Sequence, residues 1–149
     1  MNQQIKIFNY NSAEYRLALN LRDKVLRKPL GLHFTAAELR KDENDMHFGL
    51  FEGDTILACL ILTKADNKRM KMRQVAVDEF YQGKGLGKIL SKAAEDYARE
   101  HGFAVMFCHA RKSAVPFYQK LGYHTVGNEF MEVNIPHYIM EKDLLAISG

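Results

Sequence analysis

The sequence predicts an α/β fold in which a mixed sheet of about seven strands is flanked by about four helices. Two observations support this. The 149 residues are 47% hydrophobic and 26% charged, ordinary values for a single globular domain over 1–149. The apolar patterning gives the element order β-α-α-β-β-β-α-β-α-β-β. Strands interspersed with helices in this way form a sheet covered on both faces.

The first elements are a strand and a helix. Residues 4–9 alternate well enough for a strand. Asn11 or Ser12 is suited to cap a helix over 13–27, because short polar side chains accept hydrogen bonds from the first backbone N–H groups. The residues expected on its buried stripe are Leu17, Leu21 and Val25.

Turn and cap signals set the next boundaries. Pro29 cannot continue a helix and Gly31 frees the backbone, so the first helix ends here. Thr35 and Glu38 fit the capping box of a short second helix. The pair Gly53-Asp54 lies between two apolar runs and predicts a hairpin turn.

The rest of the chain reads as four strands and two helices. The strands are expected over 70–77, 104–110, 123–130 and 137–144, and the helices over 86–101 and 113–121. Gly102 and Gly122 are placed to end the two helices.

Composition excludes several classes of protein. The net charge of +3 does not demand a polyanionic partner. Cys59 and Cys108 each lie alone in an apolar run and are expected to be reduced core thiols. The six histidines show no metal-ligand spacing, so no metal is expected. The N-terminus lacks the layout of a signal peptide and no apolar run is long enough to span a bilayer, which predicts a cytoplasmic protein without a membrane partner.

A glycine-rich loop joins the strand at 70–77 to the long helix. Gly83, Gly85 and Gly87 remove side chains at every second position, so backbone N–H groups can approach a ligand closely. The start of a helix presents unpaired N–H groups and a positive dipole, and Lys84 and Lys88 add charge. The loop therefore predicts a phosphate or pyrophosphate cradle rather than a plain turn.

Two familiar nucleotide loops do not fit this stretch. A Walker A loop needs glycine at position 82 and Ser or Thr at 89, where the chain has Gln82 and Ile89. The dinucleotide fingerprint also fails, because it meets Lys88 or Leu90 where its last glycine belongs. Nucleotide hydrolysis and hydride transfer are both disfavoured.

Three blocks in order resemble the GNAT N-acetyltransferase superfamily. Gln82-Gly83-Lys84-Gly85-Leu86-Gly87 matches its Q/R-x-x-G-x-G/A loop, and "ARKSAVPFYQKLGYHTVG" resembles the following helix block. The ending "GNEFMEVNIPHYIMEKDL" resembles the ElaA-like branch. The resemblance implies the GNAT fold with a mostly antiparallel sheet, and acetyl-CoA as donor, with a longer acyl-CoA as the alternative.

The resemblance also implies a coenzyme A site. The pantetheine arm would run along the fourth strand, with main-chain contacts from Val75, Ala76 and Val77. The pyrophosphate would lie on the loop that starts at Gln82. The residues expected to form that loop site are Gln82, Gly83, Lys84, Gly85, Leu86, Gly87 and Lys88.

The expected chemistry is direct attack of a primary amine on the thioester. The carbonyl would be polarised by a main-chain N–H on the fourth strand, at Val75. Tyr118, in the Phe-Tyr position of the motif, is the expected acid, since a phenol with a pKa near 10 can return a proton to a thiolate of similar basicity. The alternative for Tyr118 is a packing role with its hydroxyl on a carbonyl group.

The general base is left open by the sequence. The fourth strand has no carboxylate, although many relatives place one there. His109 and His137 are the candidates, since histidine accepts protons near neutral pH. Glu132 is a weaker candidate, and bulk water is a further alternative.

The acceptor and the partners are less determined. Arg22 and Arg27 lie where relatives build the acceptor pocket, and the acceptor is a small molecule or peptide amine. A homodimer is possible.

The basic segment 64–73 is expected to be a solvated hairpin and strand face rather than a nucleic-acid site. The alternatives are a catalytically silent acyl-CoA-binding module and an RNA or protein interaction domain.

Overall fold

The computed structural model describes residues 2–145, so both ends of the predicted domain, 1 and 149, lie outside the described residues. The strands are β1 (Gln3–Phe8), β2 (Met46–Glu52), β3 (Thr55–Lys64), β4 (Arg69–Val77), β5 (Val105–Arg111), β6 (His124–Glu132) and β7 (Ile135–Asp143). The α-helices are α1 (Ala13–Arg22), α2 (Ala36–Arg40), α3 (Leu86–Glu100) and α4 (Val115–Lys120). The predicted element order is confirmed.

The seven strands form one sheet in the order β1-β2-β3-β4-β5-β7-β6. β4 and β5 are parallel, with Arg69 opposite Val105, and long helix α3 makes the crossover that such a pair requires. β1 with β2, β2 with β3, β5 with β7 and β6 with β7 are antiparallel. The mixed, mostly antiparallel sheet expected from the sequence is therefore confirmed.

Local cap and turn signals are realised as predicted. Ser12 caps α1, its hydroxyl accepting from the N–H of Tyr15 at 3.1 Å. Thr35 and Glu38 form the reciprocal capping box of α2. The two-residue turn between β2 and β3 is Gly53-Asp54, with Gly53 at a φ of 60°.

The first helix differs from its prediction in two ways. Its last turn, Asp23–Arg27, is a π-helix, and a 3₁₀ turn over Lys28–Leu30 follows. The predicted apolar stripe is also wrong at Leu17, which is 38% exposed. The buried positions of α1 are Tyr15, Ala18, Leu21 and Arg22, because a buried arginine and tyrosine turn the inward face away from Leu17.

The chain divides into two compact units. The first comprises Met1–Thr63 with Arg73–Ala94, and its apolar core includes Phe8, Tyr15 and Ala76. The second comprises Lys64–Met72 with Glu95–Gly149, and its buried residues include Met106 and Met140.

The two cysteines are buried and unbridged, as predicted. Burial raises the pKa of the Cys59 thiol to about 12 and that of Cys108 to about 12, which leaves both thiols neutral. Among the helices of residues 2–145, none has both the length and the apolar character needed to cross a membrane.

Candidate active site

Strand β4 contains a local irregularity in front of the glycine loop. The Arg73 side chain reaches Asp42, which also bonds Tyr15 of α1. Ala76 packs in a core cluster that includes the same tyrosine. Residues three apart in a regular strand face opposite sides, so from these contacts we infer a one-residue bulge between Arg73 and Ala76.

The backbone at Gln74 locates this bulge. Gln74 has a φ of 55°, in the left-handed region that residues other than glycine rarely adopt. Such a conformation costs about 1–3 kcal/mol and persists only where surrounding contacts enforce it. The residue after it is Val75, which the sequence predicts as the donor to the thioester carbonyl.

The glycine loop has the conformation of an anion cradle. Gly83 and Gly85 have φ values of 81° and 79°, and a Cβ added to either would meet no atom within 4 Å. Their lack of side chains is therefore required by the backbone, and it leaves open space above the loop. The first turn of α3, which follows at once, contains no acidic residue that would compete with an anion.

The loop's side chains divide into anchors and exposed cations. Leu86 is 4% exposed and fastens the loop to the core. Gln82 donates its side-chain N–H to the carbonyl of Val77 at 3.0 Å, so this side chain braces the strand end. Lys84 and Lys88 are exposed, and the Lys84 ammonium lies 5.4 Å from the ring centre of Tyr81. These residues fit a pyrophosphate bound through backbone N–H groups and lysine charges.

Three carboxylates near β4, those of Asp42, Asp45 and Asp78, are engaged in ion pairs. Arg73 Nη2 lies 2.7 Å from Asp42 Oδ1 and 2.6 Å from Asp45 Oδ2. Asp78, at the end of the strand, pairs with Lys24 at 3.4 Å. A carboxylate that is paired in this way is a poor proton acceptor, so the base is better sought elsewhere.

The second unit brings together the three base candidates on one face. His109 on β5 is opposite Ile139, and His137 lies two residues before Ile139 on β7. Phe130 on β6 is opposite His137, and Glu132 lies two residues further on. Side chains two apart share a face, so the strand register alone predicts this cluster once the pairing is known.

Glu132 lies between the two histidines and contacts both. His109 Nδ1 donates to Glu132 Oε1 at 3.0 Å, and His137 Nε2 lies 3.6 Å from Glu132 Oε2. His137 Nδ1 also donates to the carbonyl of Ile135 at 2.7 Å. Both nitrogens of His137 therefore face acceptors, whereas Nε2 of His109 makes no hydrogen bond within residues 2–145.

His109 is also the more exposed of the two histidines. The His109 side chain is 26% exposed and the His137 side chain is 4% exposed. A proton acceptor must reach its substrate, so His109 is the better placed of the two. Sequence patterning did not separate them.

Tyr118 is buried, at 7% exposure, and packs edge-on against Phe117 and Tyr123. Its hydroxyl makes no hydrogen bond with the described part of the chain, so the expected alternative of a carbonyl partner is absent there. Burial raises the pKa of Tyr118 above that of an ordinary phenol. A higher pKa makes the phenol a weaker acid than the sequence argument assumed, which favours donation of a hydrogen bond, and a catalytic role for Tyr118 stays a prediction.

The basic segment is partly neutralised within each unit. Arg69 pairs with Glu141 at 3.0 Å and lies over the ring of Phe107. Arg73 pairs with Asp42 and Asp45. Both arginines of the segment 64–73 are thus paired with carboxylates, which weakens the nucleic-acid alternative.

Two features were missed by sequence reasoning. The positive φ of Gln74 has no sequence signal, because the residue is not glycine, asparagine or aspartate. The Asp42 cluster joins residues up to 31 positions apart, and no spacing rule connects them.

Comparisons with known proteins assign the family. The acetyltransferase (GNAT) domain matches residues 27–144. Three curated relatives from Bacillus subtilis are 36–38% identical over 72–74 residues, which is 48–50% of this chain and 49–53% of theirs. The chain thus matches about half the length of these relatives.

Solved structures share the fold over nearly the whole chain. A Lactobacillus plantarum protein proposed to be an N-acetyltransferase is 26% identical, with a TM-score of 0.85 over 96% of this chain and 99% of that one. Escherichia coli ElaA has a TM-score of 0.80 at 20% identity, over 95% and 100%. An aminoglycoside 6'-N-acetyltransferase complexed with coenzyme A has a TM-score of 0.80 at 15% identity, over 98% and 99%. At these last two identities the likeness shows the fold alone.

Proposed function

The chain belongs to the GNAT acetyltransferase family, and from this premise we propose that it moves an acetyl group from acetyl-CoA to a primary amine of a small molecule or peptide. The observation that carries the proposal is the bulged strand β4 running into a loop with two glycines at positive φ and open space above them. The bulged strand suits the thioester end of acetyl-CoA, and the glycine loop that follows suits its pyrophosphate.

The donor is held by the first unit. Main-chain groups of Val75, Ala76 and Val77 bind the pantetheine arm. Backbone N–H groups from Gly83 to Lys88 bind the pyrophosphate, and Lys84 and Lys88 add charge next to it. Gln82 contributes through its bond to Val77, which fixes the loop relative to the strand. A coenzyme A thioester supplies the activated acetyl group when bound.

His109 serves as the base. An alkyl ammonium has a pKa near 10.4 and must lose a proton before it can attack. Glu132 accepts from Nδ1–H of His109 and so leaves Nε2 in the form that takes this proton. His137 supports Glu132 from its other side, and bulk water removes the second proton from nitrogen.

Two donors act on the thioester as the amine attacks. The Val75 N–H donates to the acetyl oxygen, where negative charge develops. Tyr118 donates its hydroxyl hydrogen bond to the departing sulfur, and solvent returns the proton to the thiolate. The nitrogen–carbon bond forms as the carbon–sulfur bond breaks.

A thiol-release assay tests this function. The protein is incubated with acetyl-CoA and a panel of amines that includes amino sugars, polyamines, amino acids and short peptides, and free thiol is measured against a no-amine control. Amine-dependent thiol release with acetylated product supports the proposal. Measurable coenzyme A binding without turnover on the whole panel would instead favour a silent acyl-CoA-binding module.

The His109 assignment has its own test. His109→Gln should lower kcat by about 100-fold, the scale of general-base catalysis. His137→Gln is the matched variant on the same face. Equal losses in both variants, or a loss confined to His137→Gln, would refute the choice of His109.

Two broader expectations stay predictions. A homodimer, which the family resemblance suggests, is checked by light scattering at several protein concentrations. A cytoplasmic location is checked by fractionation of the source cells.

A further inference from the structure

Arg73 immediately precedes the bulge and makes three side-chain contacts. Its Nε donates to Thr63 Oγ1 of β3 at 2.9 Å, and its Nη2 donates to both Asp42 and Asp45. Burial alone would lower the pKa of Arg73, but the hydrogen bonds that it donates to Asp45 and Asp42 outweigh burial and raise that pKa. The guanidinium is therefore charged and fixed on both sides.

Asp42 is the hub of this cluster and is completely buried. Its carboxylate accepts from Tyr15 Oη at 2.7 Å, Arg22 Nη1 at 2.8 Å and Arg73 Nη2 at 2.7 Å. Burial works against ionisation, but the positive charge of Arg22 and these hydrogen bonds hold the pKa of Asp42 below its usual value. The charges of two arginines and two aspartates balance in this cluster, although the buried Nε of Arg22 has no hydrogen-bond partner among the described residues.

The network determines the position of the extra residue in β4, after which the side chains alternate in the opposite sense. Arg73 is tied on one side of the bulge, and Ala76, 2% exposed, is packed in the core on the other. Between two fixed positions on the same face, the extra residue can only lie at Gln74 or Val75. Without the Arg73 anchor, the strand can recover its alternation by moving the one-residue slip towards Arg69.

We propose that Arg73, held by Asp42 and Asp45, is a positioning residue that confines the β4 bulge to Gln74 and thereby aims the Val75 N–H at the thioester carbonyl. This inference rests on the proposed acetyl transfer. Arg73 acts through the backbone and touches neither substrate. Its role extends the donor site to residues of α1 and of the segment between α2 and β2.

The first test compares kinetic constants. Arg73→Met should lower kcat by about 100-fold, the loss seen when one oxyanion-hole donor is removed, with KM for acetyl-CoA nearly unchanged because the glycine loop is intact. Arg69→Met is the matched control, since Arg69 lies on the same strand in an ion pair with Glu141 but away from the bulge. Its kcat should stay within threefold of the wild type, roughly the scatter expected of a surface substitution.

The second test separates positioning from stability by rescue. Glycine adopts positive φ without strain, so Gln74→Gly added to Arg73→Met should restore kcat by about tenfold while the lost ion pairs keep Tm low. A kcat that follows Tm in every variant would overturn the positioning role. Should Arg73→Met fail to fold, Arg73→Lys, which keeps the charge but loses the forked geometry, replaces it in each comparison.

A structural readout covers the case in which no amine is acetylated. Crystal structures of the wild type and of the Arg73 variant report φ at position 74. A bulge that stays at Gln74 in the variant overturns the inference whatever the activity. A displaced bulge in a protein that never consumes acetyl-CoA upholds the placement of the strand by Arg73 and refutes the proposed function.

Discussion

Replacing Gly85 by alanine should weaken coenzyme A binding by at least about tenfold while leaving the fold intact. Gly85 has a φ of 79°, and an added Cβ would meet no protein atom within 4 Å. The free protein therefore suffers only the conformational cost of a positive φ, about 1–2 kcal/mol. In a chain of this size that cost lowers Tm by about 2–8 °C.

The loss of binding has a different origin. The added methyl group occupies the open space above the loop, where the pyrophosphate is proposed to bind. Losing one hydrogen bond between a backbone N–H and a charged phosphate costs about 1.5–3 kcal/mol, which corresponds to roughly 10- to 150-fold in Kd. This loss appears in Kd, whereas the strain of a positive φ is already present in the unliganded protein and appears in Tm.

Gly102→Ala is the matched control for this substitution. Gly102 has a φ of 87° and also has no atom within 4 Å of an added Cβ, but it follows the C-terminal end of α3. Calorimetric titration with coenzyme A and thermal melts are run on both variants. Both should lose similar Tm, and only Gly85→Ala should lose affinity. Equal affinities in the two variants would refute the cradle.

Four further substitutions follow, three of them in the second unit and one that probes the acid range. Glu132→Gln should lower kcat/KM by about tenfold, because the amide no longer fixes the tautomer of the neighbouring imidazole, and a pH–rate profile measures it. Tyr118→Phe should lower kcat about tenfold with little change in Tm, whereas Tyr123→Phe removes a buried 2.8 Å hydrogen bond and should lower the free energy of unfolding by about 1–3 kcal/mol in urea titrations. The hydrogen bond from Arg27 lowers the pKa of Glu38 from 4.5 to about 2, so its stabilising effect is present above pH 4.5 and is lost as pH falls towards 2. Arg27→Gln should flatten that part of the curve of Tm against pH.

The features predicted correctly from sequence are those whose partners are close along the chain. The Thr35–Glu38 box spans four residues, and the turn at Gly53-Asp54 spans two. The conformation of the glycine loop is likewise local, since positive φ at Gly83 and Gly85 follows from the residue type. Short-range sterics and hydrogen bonds decide all three.

The features missed depend on partners brought together by the sheet. His109 and Glu132 are 23 positions apart and meet only because β5, β7 and β6 are neighbours in that order. Their proximity was not predictable from spacing, although both residues were candidates. Burial likewise raises the pKa of Tyr118, and burial is a property of the packed structure that residue spacing does not give.

The loop and the bulge of the proposed site are held by different physical means, and this determines which changes each tolerates. The loop depends on the absence of side chains, so any substitution of Gly83 or Gly85 acts directly. The bulge depends on a buried charge network, so Asp42, which touches neither proposed substrate, should affect turnover as strongly as loop residues affect binding. Binding and turnover should therefore be separable by mutation within the first unit, with the loop controlling Kd and the Asp42 network controlling kcat.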